Sequence, residues 1–237
     1  IWDFMTRDTF VPGAVIQNYY DRSDINGGAD LGYKVTPKVE PYLGYRLGHQ
    51  DQEFRTSGPA FSYANLYHRF MVGLSAKPTG WLSLNGEVGP SFHFFDAATL
   101  PAGAHDRADY LYFLAGATIQ LSTNTTFTVK GGDHLLPASA GNGLFQNLTA
   151  AGTLKHRISD QWTASFTMDY TEYDFDGFTR RDQRFIPSGE LVYQINKHLS
   201  LRAWYAYEWA ENELRIANGS RRDYDRHIAG LSMKAVY

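Results

Sequence analysis

Side chains that change character at every second position run through most of this chain, and that period restricts the fold more than any other feature. An extended strand points successive side chains to opposite faces, so residues i, i+2 and i+4 share one environment. Leu82, Leu84, Val88, Phe92 and Phe94 fall on one face of such a strand, and Ser83, Asn85, Glu87, Ser91 and His93 on the other. Trp162, Ala164, Phe166, Met168 and Tyr170 oppose Thr163, Ser165, Thr167, Asp169 and Thr171 in the same way. So do Leu199, Leu201, Ala203, Tyr205, Tyr207 and Trp209 against Ser200, Arg202, Trp204, Ala206 and Glu208. The closing residues keep the beat, with His227, Ala229, Leu231, Met233, Ala235 and Tyr237 on one face and Arg226, Ser232 and Lys234 on the other. An all-β chain whose strands each have an apolar and a polar face is expected.

That period also decides how composition is read. No run approaches the ~18 apolar residues of a membrane helix, the most apolar stretch being 111–119, so a helical membrane protein is excluded. Alternating strands cross a bilayer with only ~9–11 residues each. A mean hydropathy of -0.39 is therefore compatible with a membrane protein. The net charge of -3 is mild and its Lys and Arg are scattered, which argues against nucleic acid as a partner. The absence of cysteine fits passage through an oxidising compartment without disulfides.

Turn signals organise the strands into hairpins. Short ones recur at Thr36-Pro37-Lys38, Lys77-Pro78-Thr79-Gly80, Ser122-Thr123-Asn124, Ile158-Ser159-Asp160-Gln161 and Asn196-Lys197-His198. Longer polar segments lie between them at 21–27, 51–60, 96–107, 137–143, 176–181 and 211–224. Tight turns at one rim and long loops at the other define a meander. The expected strands are 10–20, 28–35, 39–50, 61–76, 81–95, 108–121, 125–134, 144–156, 162–175, 183–195, 199–210 and 225–237, about twelve in one domain spanning residues 1–237. Pro12 and Gly13 interrupt the first, and proline belongs at edges or bulges. That strand is either a ragged seam or a sign that these residues form the C-terminal part of a larger barrel.

With Leu231, Met233 and Ala235 at alternate positions before the terminal Tyr237, the last strand resembles the closing strand of bacterial outer-membrane β-barrels of the porin-like kind. In those proteins this pattern is the signal read by the barrel-assembly machinery. The resemblance implies an antiparallel up-and-down transmembrane β-barrel in the Gram-negative outer membrane. Its partners would be outer-membrane lipid, lipopolysaccharide and that machinery. Acidic and basic residues of the long loops, such as Asp51, Glu53, Asp106, Asp174 and Arg181, suit ordinary solvation as well as cation-bridged contact with lipopolysaccharide.

The same parity assigns the polar face to the barrel interior. Arg46, Arg69, Glu87, Lys130, Asp169, Arg184, Glu190, Arg202 and Glu208 fall there, with Asp30, Lys34, Glu40, Arg226 and Lys234. Tyr67, Tyr112 and Trp204 join them, with Tyr42 and Tyr110. On the lipid face an Arg or Lys would cost roughly 2–4 kcal/mol at the midplane. Rings beside charges suit a sugar-like or zwitterionic solute. The competing reading is a salt-bridged network that fills a narrow lumen.

Catalytic and metal-binding residues are not expected, nor is a cofactor. No His-x-Ser-Asn run of the kind found in outer-membrane phospholipases occurs, and the eight histidines include no His-x-x-x-His pair or zinc spacing. Asp223, Asp225 and His227 imitate the acidic and histidine rim of outer-membrane proteases, but a charged strand end is ordinarily a solvated rim. The leading expectation is a non-enzymatic porin-like channel for passive passage or export of small polar solutes or polysaccharide. The alternative is a structural barrel occupied by a periplasmic or lumen-bound protein partner, such as a cytochrome-ensheathing porin or a translocator domain. A soluble β-sandwich ranks last, because so many outward apolar residues would overfill its core.

Overall fold

The structure is a computed structural model and describes residues 9–11, 14–16, 20–54, 62–100, 102–137, 144–175, 180–214 and 223–235. Strands β1 (Thr9–Val11) and β2 (Ala14–Ile16) pair only with each other. The main sheet holds β3 (Tyr20–Gly32), β4 (Val39–Phe54), β5 (Asn65–Ala76), β6 (Leu82–Phe95), β7 (Arg107–Ser122) and β8 (Thr125–Pro137). It continues through β9 (Leu144–Arg157), β10 (Trp162–Phe175), β11 (Arg180–Asn196), β12 (Leu199–Leu214) and β13 (Tyr224–Ala235). These eleven strands follow one another in chain order, each antiparallel to the next, with β3 and β13 at the two edges. The all-β, up-and-down architecture is as expected.

Among the described residues the sheet holds eleven strands, against about twelve expected. Of the segment expected as strand 10–20, the stubs on either side of Pro12 and Gly13 pair with each other, and Tyr20 opens β3. Residues 21–27, expected as a polar loop, instead continue β3, with Asp24 opposite Gln50 and Asn26 opposite Gly48. Their polarity masked an intact period of two, in which Asp24, Asn26 and Asp30 share one face while Ile25 and Leu31 are exposed on the other. Several strands also run further into the long-loop rim than expected, β4 reaching Phe54 and β12 reaching Leu214.

Segregation of the connections follows from side-chain chemistry at the turns. In the two-residue turn between β11 and β12, Asn196 Oδ1 accepts hydrogen bonds from the backbone N–H of His198 at 2.9 Å and of Leu199 at 3.1 Å. Ser159 Oγ serves the turn after β9 in the same way, accepting from the N–H of Trp162 at 3.1 Å. All five short turns lie at one rim.

The outer face is apolar and open. Leu43, Phe70, Val72, Val88, Leu111, Val129, Phe166, Met168, Leu191 and Leu201 are all exposed there. A continuous apolar surface of this extent is stable only against lipid or a partner. Aromatic rings flank it. Trp162 and Tyr193 pair at 4.6 Å between centroids at the short-turn rim, while Tyr45, Phe70 and Phe92 form a chain of ring contacts toward the opposite rim. Amphipathic rings favour headgroup depth.

The inner face makes contacts between strands that are not neighbours. β8 stays in register with β7 only as far as Asp133 opposite Phe113, yet continues against β9 to Pro137 opposite Leu144. Beyond Asp133 β8 parts from β7 while β9 stays paired with β10 as far as Phe145 opposite Phe175, and this end of the hairpin turns inward. Leu135 and Leu144 bury themselves against Phe95, Ala108 and Tyr110, which lie on the inner face of β6 and β7, and Gln50 Nε2 of β4 donates to the Leu135 carbonyl at 3.4 Å. Gly132 permits the departure, since a Cβ there would lie 2.9 Å from both the Phe113 carbonyl oxygen and the Leu114 side chain. The apolar core of the molecule is this small cluster at the mouth.

A second close approach recurs on the inner face, where aromatic side chains lie across glycines of the adjacent strand. A Cβ on Gly48 would lie 2.3 Å from the Tyr67 ring, and one on Gly73 would lie 2.0 Å from the Tyr42 ring. Gly48→Val is therefore expected to displace Tyr67 and destabilise the barrel by about 1–3 kcal/mol, read from urea unfolding. Val88→Arg, on the outer face near mid-strand, is expected to cost about 2–4 kcal/mol when unfolding is followed in lipid vesicles.

Candidate functional site

The ladder register carries all twelve interior residues anticipated from sequence onto one face of the sheet. Arg46 stands opposite Arg69, Arg69 opposite Ser91, Glu87 opposite Gly73, and Tyr112 opposite Gly89. Ala151 separates Lys130 from Asp169, and Trp204 lies opposite Glu190, with Arg202 and Glu208 on the same strand parity. This is the face on which β4 meets β8, and therefore the concave one. The expected assembly residues Leu231, Met233 and Ala235 lie on the opposite, outer parity of β13, with Leu231 and Met233 strongly exposed. Tyr237 lies outside the described residues.

Most of the inner charges are paired. Asp30 holds Arg46 bidentately, at 2.5 and 2.8 Å. Glu87 accepts hydrogen bonds from Tyr42 and Tyr112, each at 2.8 Å, and so links β4, β6 and β7. Glu208 is 1% exposed, accepts from Tyr224 at 2.8 Å and from Arg226 Nε at 2.7 Å, and has Arg184 at 3.9 Å. Arg202 Nε donates to Glu190 at 2.5 Å. A buried carboxylate persists in its charged form only with such donors around it. Among the described residues Lys130 and Asp169 share the face without an ion pair. Trp204 lies over Gly230, where a Cβ would come 2.5 Å from the indole nitrogen.

Arg69 differs from the other inner arginines. Like charges directly opposite one another across a ladder are unfavourable, and Arg46 opposite it is already claimed by Asp30. Arg69 instead lays its guanidinium over the Tyr112 ring at 3.8 Å, with the Tyr67 ring at 5.2 Å. Its Nε is buried without a hydrogen-bond partner. These residues line a cavity of ≈ 360 Å³ between the β3–β7 wall and the inturned β8–β9 hairpin. Asp24, Asn26 and Gln50 form its polar side, and Leu114, Leu135 and Leu136 its apolar side.

Asp24 and Asn26 were missed in the sequence because 21–27 reads as a loop, and Gln50, at the end of the expected strand 39–50 on the parity of Arg46, because it carries no charge. The signal was the alternation through Ile25. A second group was missed because the expected order of residues was reversed. Ser91 Oγ lies 3.0 Å from His93 Nε2, His93 Nδ1 lies 2.9 Å from Asn65 Oδ1, and Asn65 Nδ2 donates to Gln50 Oε1 at 3.0 Å. The spacing of this Ser–His–Asn set is that of a nucleophile and its base. Ser91 and His93 are 0% exposed, however, and the Tyr67 ring stacks on His93 at 5.3 Å between centroids. No acyl group reaches that hydroxyl in this arrangement, and the set works as a polar chain tying β4, β5 and β6 together. At the rim, Asp225 and His227 occupy the outer parity of β13, where His227 Nδ1 lies 2.6 Å from the Tyr205 hydroxyl. Among the described residues, no cluster of His, Asp and Glu suits a metal ion.

The family model described as "Putative beta-barrel porin 2" matches residues 118–237, just over half of the chain. The chain belongs to that porin family. It is accordingly an outer-membrane β-barrel, and the match extends from β7 to the last residue, well beyond the closing-strand pattern. No curated protein matches the chain. Among solved structures, in-vitro-folded OmpT, an outer membrane protein of Vibrio cholerae, is similar with a TM-score of 0.48 at 9% sequence identity, over 94% of this chain and 90% of that one.

In this porin-family chain the Tyr42–Glu87–Tyr112 link joins three strands through one carboxylate. Hydrogen bonds to a charged group contribute about 1.5–3 kcal/mol each. Tyr42→Phe and Tyr112→Phe are each expected to destabilise the barrel by about that amount. The double variant is expected to cost less than the sum, because both changes act on one shared partner. Urea unfolding of the four proteins checks this.

Proposed function

We propose that this porin-family barrel is a passive pore for small polar solutes, lined by Arg46, Arg69, Glu87, Lys130, Asp169, Arg184, Glu190, Arg202 and Glu208 with Tyr67, Tyr112 and Trp204. The cavity beneath the inturned β8–β9 hairpin opens among these residues. The observation that carries this reading is the gathering of charge on the concave face through the middle of the strands, where the convex face is apolar, while outer-parity charges such as Arg107, Asp109 and Asp225 stand at the long-loop end. An interior lined in that way suits water or polar solute. The cavity's ≈ 360 Å³ is of the size that holds a small molecule, which supports small polar solutes.

A second reading is a barrel whose interior is occupied by a partner. It is favoured by β3 and β13, which are edges without partners in the eleven-stranded sheet of the described residues.

Single-channel recording of the detergent-refolded chain in planar bilayers separates the two. The expected outcome is stepwise conductance whose selectivity moves toward cations when Arg46, Arg69 and Arg202 are neutralised together. A folded, heat-modifiable barrel that gives no steps would sink the pore reading and favour the occupied one.

A further inference from the structure

Two uncompensated charges of opposite sign stand in one cavity, and they belong to neither of the paired networks. Arg69 has no carboxylate partner among the described residues, and its buried Nε has no acceptor. Asp24 has no cationic partner among the described residues either. Within them its carboxylate accepts from neutral donors, Tyr67 Oη at 3.2 Å, Asn26 Nδ2 at 3.2 Å and Gln50 Nε2 at 3.1 Å. A buried unpaired donor on a charged group is costly unless a ligand or water meets it. The two residues could have answered each other with a salt bridge, as Arg46 and Asp30 do. They are held apart instead, Arg69 by the Tyr112 ring and Asp24 by three hydrogen bonds from the wall.

We infer that this cavity binds a small zwitterion, an α-amino acid with an apolar side chain. Its carboxylate lies on Arg69, its ammonium on Asp24, and its side chain faces Leu114, Leu135 and Leu136. A guanidinium stacked on an aromatic ring keeps its N–H edge free for a planar carboxylate. The Asp24 carboxylate, already oriented by neutral donors, retains its negative charge for an ammonium. Of that apolar side Leu114 comes from β7 and Leu135 and Leu136 from the inturned end of β8, so a bound ligand would touch both walls. The inference rests on the proposed pore only for its physiological meaning. The site itself is testable without conductance.

The test is equilibrium titration of the detergent-refolded full chain, followed by ligand NMR, with L-leucine, with 3-methylbutylamine lacking the carboxylate, and with 4-methylpentanoate lacking the amine. Leucine is expected to bind about tenfold more tightly than either singly charged compound. Arg69→Gln should reduce leucine and 4-methylpentanoate binding about tenfold and spare the amine, and Asp24→Asn should do the converse. Arg69→Lys should recover part of the loss. Arg107→Gln, at an exposed ion pair with Asp109, should change nothing. Heat-modifiable mobility on gels shows which variants fold. If Arg69→Gln fails to fold, Arg69→Lys and Asp24→Asn carry the comparison. Equal binding of all three compounds, no binding, or indifference to both substitutions would overturn the inference. Leucine binding without conductance steps would sink the pore and leave this site standing, whereas conductance without a preference for leucine would do the reverse.

Discussion

Backbone hydrogen bonding in a medium without water is the constraint on which this structure depends. Each N–H and C=O in the apolar layer must find a partner within the protein, and a meander of antiparallel strands supplies one from each neighbour. Once the ladder is set, its register fixes everything else, because a slip of one residue would carry Arg69, Glu87 and Glu208 to the lipid side. The same constraint marks β3 and β13, whose outward ladder groups face no strand among the described residues. In a bilayer such edges require covering by protein.

The inner face shows how charge is accommodated once the ladder has placed it. Carboxylates are the organising groups. Glu87 gathers two tyrosines and Glu208 gathers a tyrosine and two arginines, each joining strands through a single side chain. Glycines opposite Tyr42, Tyr67 and Trp204 leave room for rings to lie flat along the wall instead of filling the interior. The wall is thus thin where the rings lie, and the interior is narrowed by an inturned hairpin and not by side-chain bulk alone. The pairing of Arg46 with Asp30 then has an energetic consequence for its neighbour, since among the described residues it leaves Arg69, directly opposite, without a carboxylate partner.

The Ser91–His93–Asn65 chain shows why site geometry must be weighed with access. Its distances match those of a nucleophilic set, but its complete burial and the tyrosine stacked upon it make it a brace. It also stiffens β4 to β6 behind the cavity, where Gln50 is shared by the brace, by Asp24 and by the inturned hairpin.

Sequence alone determined the fold class, the separation of short and long connections, and the strand parity of the charged residues within the segments it reads as strands. All of these follow from a period of two that local residue chemistry expresses directly. It misplaced the first strand, because Pro12 and Gly13 break a pattern that elsewhere survives, and because the polar run 21–27 hides its alternation. Tertiary structure decided which inner charges pair, that Arg69 and Asp24 are left facing one cavity, and that β8 parts from β7 after Asp133 while β9 stays on β10. None of that is written in a two-residue period. It depends on distances across the sheet between strands far apart in the chain, which only curvature and packing bring together.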